Sequence, residues 1–113
     1  MHELSITQGL LQIVLDEATR HSISKVRVVK LKIGEFTAIE PSCLTFCFEL
    51  LTKDTPVEGA DLKIDMVPIK GKCRNCGEVF EINDASFSCP ACSSYIIEFI
   101  SGRELYVEEI EGD

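Results

Sequence analysis

The chain has 113 residues, 45% of them hydrophobic, which fits one ordinary domain or a small domain carrying a smaller module. This length excludes a large multidomain enzyme. The 11 Lys and Arg against 19 Asp and Glu give a net charge of −8, which opposes nonspecific attraction to nucleic acid or anionic lipid. The six cysteines and two histidines are the residues with the most distinctive chemistry.

The N-terminal sequence lacks the basic segment of a secretory signal, and no later stretch approaches the ~18 apolar residues needed to span a bilayer. We therefore expect a cytoplasmic protein with neither a membrane nor a nucleic acid as partner. In a reducing compartment, closely spaced cysteines are more often metal ligands or redox groups than structural disulfides.

The first predicted element is an amphipathic helix from Leu4 to His21. Its apolar stripe at helical spacing consists of Leu4, Leu11, Val14, Leu15 and Ala18. Ile6, Leu10 and Ile13 widen this surface beyond what packing against one sheet requires. A second helix or a partner should therefore cover the excess.

An alternating segment then predicts a strand from Lys25 to Ile33 with one basic, solvated face, ended by Gly34. Pro41 suits the first turn of a second helix. The apolar stripe predicted for this helix consists of Cys43, Phe46, Cys47 and Leu50. We expect its two cysteines to be buried as small hydrophobic side chains, as free cysteines usually are, with metal binding or oxidation as the alternative.

Two more strands are predicted, from Ala60 to Val67 and from Arg103 to Ile110, followed by a solvated tail at residues 111–113. A cysteine-rich segment lies between these strands. The order of elements predicts the α+β class, with a small mixed three-stranded sheet covered by two helices. We expect the cysteine-rich segment to form a zinc-ribbon module with four cysteine ligands, inserted before the last strand of this sheet.

The cysteine-rich segment contains two Cys-x2-Cys pairs separated by twelve residues: Cys73, Cys76, Cys89 and Cys92. Each pair can supply two thiolates to one tetrahedral zinc ion at about 2.3 Å. Four thiolates leave no open position, so the zinc should be structural, and it would stabilise a segment too small to fold on apolar burial alone. A dithiol oxidoreductase would need a single Cys-x2-Cys at a helix N-terminus, which this spacing does not match.

His2 marks a second candidate metal site. Because the size of His2 favours retention of Met1, the α-amine of Met1, the amide nitrogen of His2 and its imidazole can chelate one ion. Deprotonated amides favour a square-planar ion such as Ni(II) or Cu(II), and the fourth position stays open to Glu3, water or a recipient. The alternative is that His2 and Glu3 are ordinary polar residues at the helix start. His21 lies about 27 Å away along the helix and cannot share the site.

Three features together closely resemble the HypA/HybF family of hydrogenase-maturation nickel metallochaperones, and the resemblance covers essentially the whole chain. They are the opening Met1-His2-Glu3-Leu4-Ser5, the strand end Ile33-Gly34-Glu35, and the four-cysteine ribbon before a last strand. The resemblance implies a nickel-binding α+β domain formed by residues 1–67 and 104–113, and a zinc-ribbon domain formed by residues 68–103. It assigns labile Ni2+ to Met1, His2 and Glu3, and structural Zn2+ to Cys73, Cys76, Cys89 and Cys92.

The resemblance also implies that the protein delivers nickel for maturation of [NiFe]-hydrogenase and is not an enzyme. Its implied partners are a HypB-type GTPase, the hydrogenase large-subunit precursor and, in some relatives, urease maturation factors. On this view Ile6 and Leu10 on the first helix would dock the GTPase. Some relatives have histidines beside the ribbon cysteines, whereas this chain has Gly77, Glu78, Ser93 and Ser94 there. The alternative function is a zinc-ribbon protein-interaction adaptor without nickel transfer.

Overall fold

The computed structural model describes residues 2–82 and 87–113. The elements in chain order are α1 (Glu3–Arg20), β1 (Val26–Gly34), a 3₁₀ turn (Glu35–Thr37), α2 (Pro41–Leu51), β2 (Asp61–Val67), β3 (Lys70–Cys73), β4 (Val79–Glu81), β5 (Ile97–Ser101) and β6 (Leu105–Gly112). The molecule is elongated, measuring 54 × 26 × 17 Å, and its strands form two separate three-stranded sheets.

The first sheet has the order β2-β1-β6, with β1 parallel to β2 and antiparallel to β6. The predicted mixed three-stranded sheet is therefore confirmed. The two parallel strands are connected through α2, which supplies the long crossover that a parallel pair needs. A register shift between Val26 and Val28 disturbs the alternation of β1. Val29 is therefore buried at 1% exposure, while Val28 is only half-buried.

The basic face of β1 is neutralised by acidic residues of the neighbouring strands. Lys30 pairs with Glu109 on β6 at 3.3 Å, and Lys32 pairs with Asp65 on β2. The hydrogen bond from Lys30 to Glu109 raises the pKa of Lys30. The face predicted to be solvated is thus half-covered by cross-strand ion pairs.

Helix α1 packs on the sheet and on α2 with most of the predicted stripe, since Leu11, Val14 and Ala18 are buried. Its buried residues are Glu3, Thr7, Leu10, Leu11, Val14 and Ala18. Leu4 and Ile13 are 51% and 48% exposed. The prediction that Ile6 and Leu10 dock a partner is wrong for Leu10, which lies in the core at 8% exposure, and Ile6 packs against the same core. Helix α2 covers the excess apolar surface.

Helix α2 begins at Pro41, as predicted, but its predicted apolar stripe does not face the core. Phe46 and Leu50 are 62% and 48% exposed, Cys43 is exposed and Cys47 is half-buried. The prediction of two buried cysteines is therefore wrong. The residues that pack in the core have the same spacing, shifted by one position: Leu44, Phe48 and Leu51.

The predicted solvated tail at residues 111–113 is part of the fold instead. Strand β6 continues to Gly112, and the amide of Asp113 donates to the carbonyl of Lys25 at 2.9 Å. The carboxylate of Asp113 also accepts a hydrogen bond from Arg27 at 2.6 Å. The last residues therefore close the antiparallel edge of the sheet.

The second sheet has the order β4-β3-β5, and Cys73 is the last residue of its central strand. The segment that leads from it to β6 lies directly against the end of β1. The amide of Gly34 donates to the carbonyl of Glu104 at 2.7 Å, and the amide of Phe36 donates to the carbonyl of Gly102 at the same distance. These backbone contacts anchor the second sheet to the first.

Side chains add to this junction. The rings of Phe36 and Phe99 meet edge to face with centroids 5.0 Å apart, and the guanidinium of Arg103 lies 5.2 Å from the Phe36 centroid. The amide of Ile69 donates to the carboxylate of Glu35 at 3.2 Å. Both linkers between the sheets therefore contact the 3₁₀ turn. Within the described ranges, no helix has the length and apolar character needed to cross a membrane.

The close contact at this junction predicts that alanine substitutions at two glycines have opposite effects on the free energy of unfolding. A Cβ on Gly34 would lie 2.1 Å from the backbone of Gly102, whereas a Cβ on Gly9, exposed in the middle of α1, would meet nothing within 4 Å. We expect Gly34→Ala to lower the free energy of unfolding by about 1–3 kcal/mol because of overpacking. Gly9→Ala should raise it by up to about 1 kcal/mol through helix propensity. Urea denaturation measures the free energy of unfolding of both variants. An unchanged value in Gly34→Ala would contradict the close contact between Gly34 and Gly102.

Candidate metal sites

The four cysteines predicted as zinc ligands converge around one point. All four sulfur atoms lie within 4.8 Å of one another. The Sγ atoms of Cys73 and Cys92 are 3.6 Å apart, and those of Cys76 and Cys89 are 3.5 Å apart. A tetrahedron with metal–sulfur bonds of about 2.3 Å has edges of about 3.8 Å. The sulfur spacing therefore fits a single tetrahedral metal ion.

The two cysteine pairs lie in backbone turns of the same kind, and each pair contributes one buried and one exposed thiol. The residues that follow the pairs, Gly77 and Ser93, have left-handed backbones with φ of 83° and 65°. Their amides donate to the carbonyls of Cys73 and Cys89, both at 2.8 Å. Two matching turns therefore hold the four sulfur atoms.

Hydrogen bonds to sulfur favour the thiolate form at two positions. The amide of Cys76 donates to the sulfur of Cys73 at 3.4 Å, and this bond is the main reason why the pKa of Cys73 is lowered to about 6. The side-chain amide of Asn75 donates to Cys92 at 3.6 Å and lowers the pKa of that thiol.

Cys76 shows the opposite behaviour. The amide of Glu78 lowers its pKa, but the adjacent Cys89 thiol, burial and the other thiols outweigh this effect and raise the pKa to about 12. Thiolates packed this closely repel one another, so complete deprotonation of the cluster requires a cation at its centre.

His2 occupies the N-cap position of α1 and is exposed. Its backbone is left-handed, with φ 39° and ψ 26°, and its carbonyl accepts the amide of Ile6 at 3.0 Å. A left-handed backbone at a residue other than glycine stores strain and is commonest at functional sites. Met1, which the sequence predicts as the neighbouring ligand, lies outside the described residues.

Glu3 lies in the first turn of α1 and is buried, at 9% exposure. Its carboxylate accepts a hydrogen bond from the backbone amide of Glu40, the N-cap of α2, at 3.3 Å. Its own carbonyl accepts the hydroxyl of Thr7 at 2.5 Å. Glu3 therefore connects the N-termini of the two helices directly beside His2.

His2, Glu3 and Leu4 line one open groove of about 500 Å³ together with residues of α2. The α2 residues are Ser42, Cys43, Phe46 and Cys47. Sequence reasoning missed this groove because it assigned Cys43, Phe46 and Cys47 to the core. The sequence signal for this groove is the number of apolar residues on α2, which is larger than one face of the helix can bury.

The structure keeps the other histidine apart from this groove. His21 is the C-cap of α1, and its Nε2 lies 3.3 Å from the carboxylate of Glu17. The cysteine cluster belongs to the second sheet and is separate from the N-terminus of α1. The two predicted metal sites are therefore distinct.

The α+β fold and the four-thiol cluster define a small metal-binding protein with a ribbon-like module. The family model described as "Hydrogenase/urease nickel incorporation, metallochaperone, hypA" matches residues 1–112. The chain therefore belongs to the HypA family of nickel metallochaperones.

Individual relatives are similar over almost their full length. The hydrogenase maturation factor HypA of Caldanaerobacter subterraneus subsp. tengcongensis is 42% identical over 112 residues, which cover 98% of each chain. That of Desulfitobacterium hafniense (strain DSM 10664 / DCB-2) is 40% identical over 111 residues, 98% of this chain and 97% of the relative. The solution structure of the Ni metallochaperone HypA from Helicobacter pylori has a TM-score of 0.69 at 26% identity and covers 99% of this chain and 97% of its own. These similarities confirm the predicted family and fold class.

The position of Glu3 predicts different effects for two substitutions. Glu3→Ala leaves the amide of Glu40 without its acceptor and should lower the melting temperature by roughly 5 °C. Glu3→Gln keeps a side-chain oxygen at the same place and should retain most of that stability. Thermal unfolding followed by circular dichroism compares the two. Equal melting temperatures for both variants would show that the hydrogen bond contributes nothing.

Proposed function

We propose that this chain binds Ni(II) at its N-terminus as labile cargo and delivers it for maturation of [NiFe]-hydrogenase. Met1, His2 and Glu3 are the proposed nickel ligands. The family description also includes urease, so urease maturation is an additional proposed destination. The protein acts as a carrier, without catalytic turnover of its own.

The observation that carries this proposal is the exposed, left-handed His2 at the N-cap of α1. The amide of an N-cap residue is not used by the helix hydrogen-bond ladder, so it can lose its proton and coordinate a metal without breaking the helix. Amide nitrogen, imidazole and a terminal amine favour a square-planar ion, which suits Ni(II) better than zinc. Glu3, fixed by the amide of Glu40, holds a carboxylate beside these donors.

Exchange of the Glu3 carboxylate for a recipient ligand would open one coordination position, which explains why such a site can also release its metal. A recipient ligand can attack the planar ion from the exposed side of His2, while the remaining donors leave one at a time. The proposed partners are a HypB-type GTPase, the hydrogenase large-subunit precursor and urease maturation factors, and the proposed compartment is the cytoplasm. A net charge of −8 suits protein partners and opposes binding to nucleic acid.

We further propose that Cys73, Cys76, Cys89 and Cys92 hold one structural Zn2+ ion. The near-tetrahedral spacing of the sulfur atoms supports this assignment, and four thiolates leave no position for a substrate. Residues 68–103 then form a zinc-dependent domain, and residues 1–67 with 104–113 form the nickel-binding domain.

A zinc-ribbon adaptor without nickel transfer is the second candidate function. It is favoured by apolar side chains exposed on the ribbon, where Tyr95, Ile96 and Ile100 are 81%, 63% and 48% exposed. An adaptor would bind protein through these side chains and would have no need for His2. Nickel binding therefore discriminates between the two functions.

The nickel site is tested by comparing the two histidines in protein with an unmodified N-terminus. We expect His2→Ala to lower nickel affinity by at least about a hundredfold, because the imidazole and its chelate ring are lost. His21→Ala is the matched control, since His21 is also exposed and caps the other end of α1, and it should bind nickel like the parent chain. Isothermal titration calorimetry measures affinity, and the absorption band of planar Ni(II) reports geometry.

Unchanged nickel affinity in His2→Ala would refute the nickel site and favour the adaptor. A single residue added before Met1 provides an independent test, because it moves the α-amine away from His2. The planar band should disappear in this extended chain, while the zinc content stays the same.

The zinc site predicts an order of unfolding. Chelation of zinc should first remove amide-exchange protection in residues 72–94, including the amides of Gly77 and Ser93 that hold the turns. Protection in α1 and β1 should persist. Cys89→Ser should lose zinc, whereas Cys43→Ser, with its thiol outside the cluster, should retain it. Full ribbon protection in zinc-free protein would exclude a structural role for zinc.

A further inference from the structure

A small groove between α1 and β6 lies outside both proposed metal sites. Its volume is about 200 Å³, and the residues that line it are Ile13, Glu17, Val107, Glu108, Glu109 and Ile110. We call it the β6 groove. Small-molecule pockets usually measure about 300–1,000 Å³, so the β6 groove suits a single side chain of a protein partner better than a separate ligand.

The floor of the β6 groove is apolar. Val107 and Ile110 pack against the core but are only half-buried. Ile13 is 48% exposed, although Ile6 and Leu10, which belong to the same widened apolar surface of α1, pack inside. An apolar side chain from a partner would therefore remove the exposed parts of this floor from water.

The rim of the β6 groove is acidic. Glu109 lies opposite Lys30 of β1, whereas Glu108 is an extra residue of β6 with no opposite residue in β1. This bulge places two consecutive glutamates at the groove, and Glu17 adds a third from α1. All three glutamate side chains remain about one-third exposed or more, so their carboxylates are still accessible to a partner.

The basic residues nearby do not neutralise this strand. Each of two lysines on β1 is shared by two carboxylates, and the groups are Lys30 with Glu109 and Glu111, and Lys32 with Glu108 and Asp65. Residues 68–103 contain four basic and four acidic residues, so the whole net charge of −8 belongs to the part of the chain that includes the β6 groove. Charge complementarity therefore favours a basic partner.

A second copy of this chain does not offer a matching basic segment. An apolar side chain stands between two basic residues at positions 25–27, 30–32 and 72–74. The middle residues of these segments, Val26, Leu31 and Cys73, are at most 2% exposed. They lie in β1 and β3, the central strands of the two sheets, and could enter another molecule only if those strands unfolded. The basic partner is therefore a different protein.

We propose that the β6 groove docks an extended segment of a protein partner in which one apolar side chain lies between two Lys or Arg residues. The apolar side chain fills the groove, and the flanking cations meet Glu17 on one side and Glu108 and Glu109 on the other. Among the described residues β6 is the edge strand of its sheet, so an extended segment can lie beside it.

This docking surface is separate from the proposed nickel site and does not rest on the proposed function. Ile13 follows His2 by eleven residues, or about 16 Å along the axis of α1. A partner in the β6 groove is thus held on the same helix as the proposed nickel ligands without covering them.

The docking is tested with the full chain and a synthetic peptide, Gly-Ser-Lys-Leu-Lys-Ser-Gly, by following amide chemical shifts in NMR titrations. The peptide should shift the amides of Ile13, Glu17 and residues 107–110. Ile13→Ser should weaken peptide binding by at least about fivefold, because the apolar contact is lost. Leu4→Ser is the matched control, since Leu4 is also exposed on α1 but lies outside the groove, and it should bind the peptide like the parent chain.

The contribution of the rim is tested by two double variants that remove the same charge. Glu108→Gln/Glu109→Gln should weaken binding at low salt by at least about threefold. Glu49→Gln/Asp61→Asn changes exposed carboxylates outside the groove and should have much less effect. Equal weakening by the two double variants would show only general attraction to an acidic protein and would overturn the site.

The proposal would also be overturned if a peptide with Ser in place of Leu bound equally well, or if Ile13→Ser bound the peptide like the parent chain. Sedimentation of the parent chain without peptide should show no self-association through this groove. A dimer that is lost in Ile13→Ser would instead identify a second copy as the occupant and refute a different partner.

His2→Ala separates this inference from the proposed function. This variant should bind the peptide like the parent chain, whatever its nickel affinity. Loss of peptide binding in His2→Ala would place the peptide at the N-terminus and refute docking in the β6 groove. Unchanged nickel binding in His2→Ala would refute the nickel site and leave the docking surface intact.

Discussion

The close backbone contact between the end of β1 and the segment entering β6 is the constraint on which the rest of this fold depends. Gly34 lies so near Gly102 that no side chain fits between them, and the amides of Gly34 and Phe36 bond this segment at 2.7 Å. Each sheet has three strands. The contact joins the two sheets at a fixed place, and the stacking of Arg103 and Phe99 on Phe36 reinforces it.

The same segment of chain leads from this junction to the proposed nickel site. After the 3₁₀ turn, Ala38 adopts a left-handed backbone with φ 56°, which reverses the chain into the start of α2. Glu40 then caps α2 with its side chain and donates its amide to Glu3. The two helix N-termini are thus held together by one hydrogen bond, and His2 lies at the end of this series of contacts. The position of the first turn of α1 is therefore set by tertiary contacts as well as by the helix itself.

Sequence patterns predicted the parts of this structure that depend on local chemistry. The spacing of Cys73, Cys76, Cys89 and Cys92 predicted their convergence, because each pair forms a local turn and one tetrahedral ion needs both pairs. Helix faces were not predictable in the same way. On α2 two apolar stripes with the same spacing lie one residue apart, and only packing against α1 and β1 selects the stripe with Leu44. The groove beside His2 was missed for that reason, because it is lined by the apolar stripe of α2 that does not pack in the core.

The two proposed metal sites differ in what their surroundings would allow a metal ion to do. At the cysteine cluster, all donors come from rigid turns and surround the centre, so a metal can leave only if the turns open. At His2, the donors come from the exposed beginning of a helix, and the side facing the groove is open. An ion there can be approached by an incoming ligand without unfolding any element. Closed and open surroundings thus favour the proposed stabilising role for the ribbon and the proposed carrying role for the site at His2.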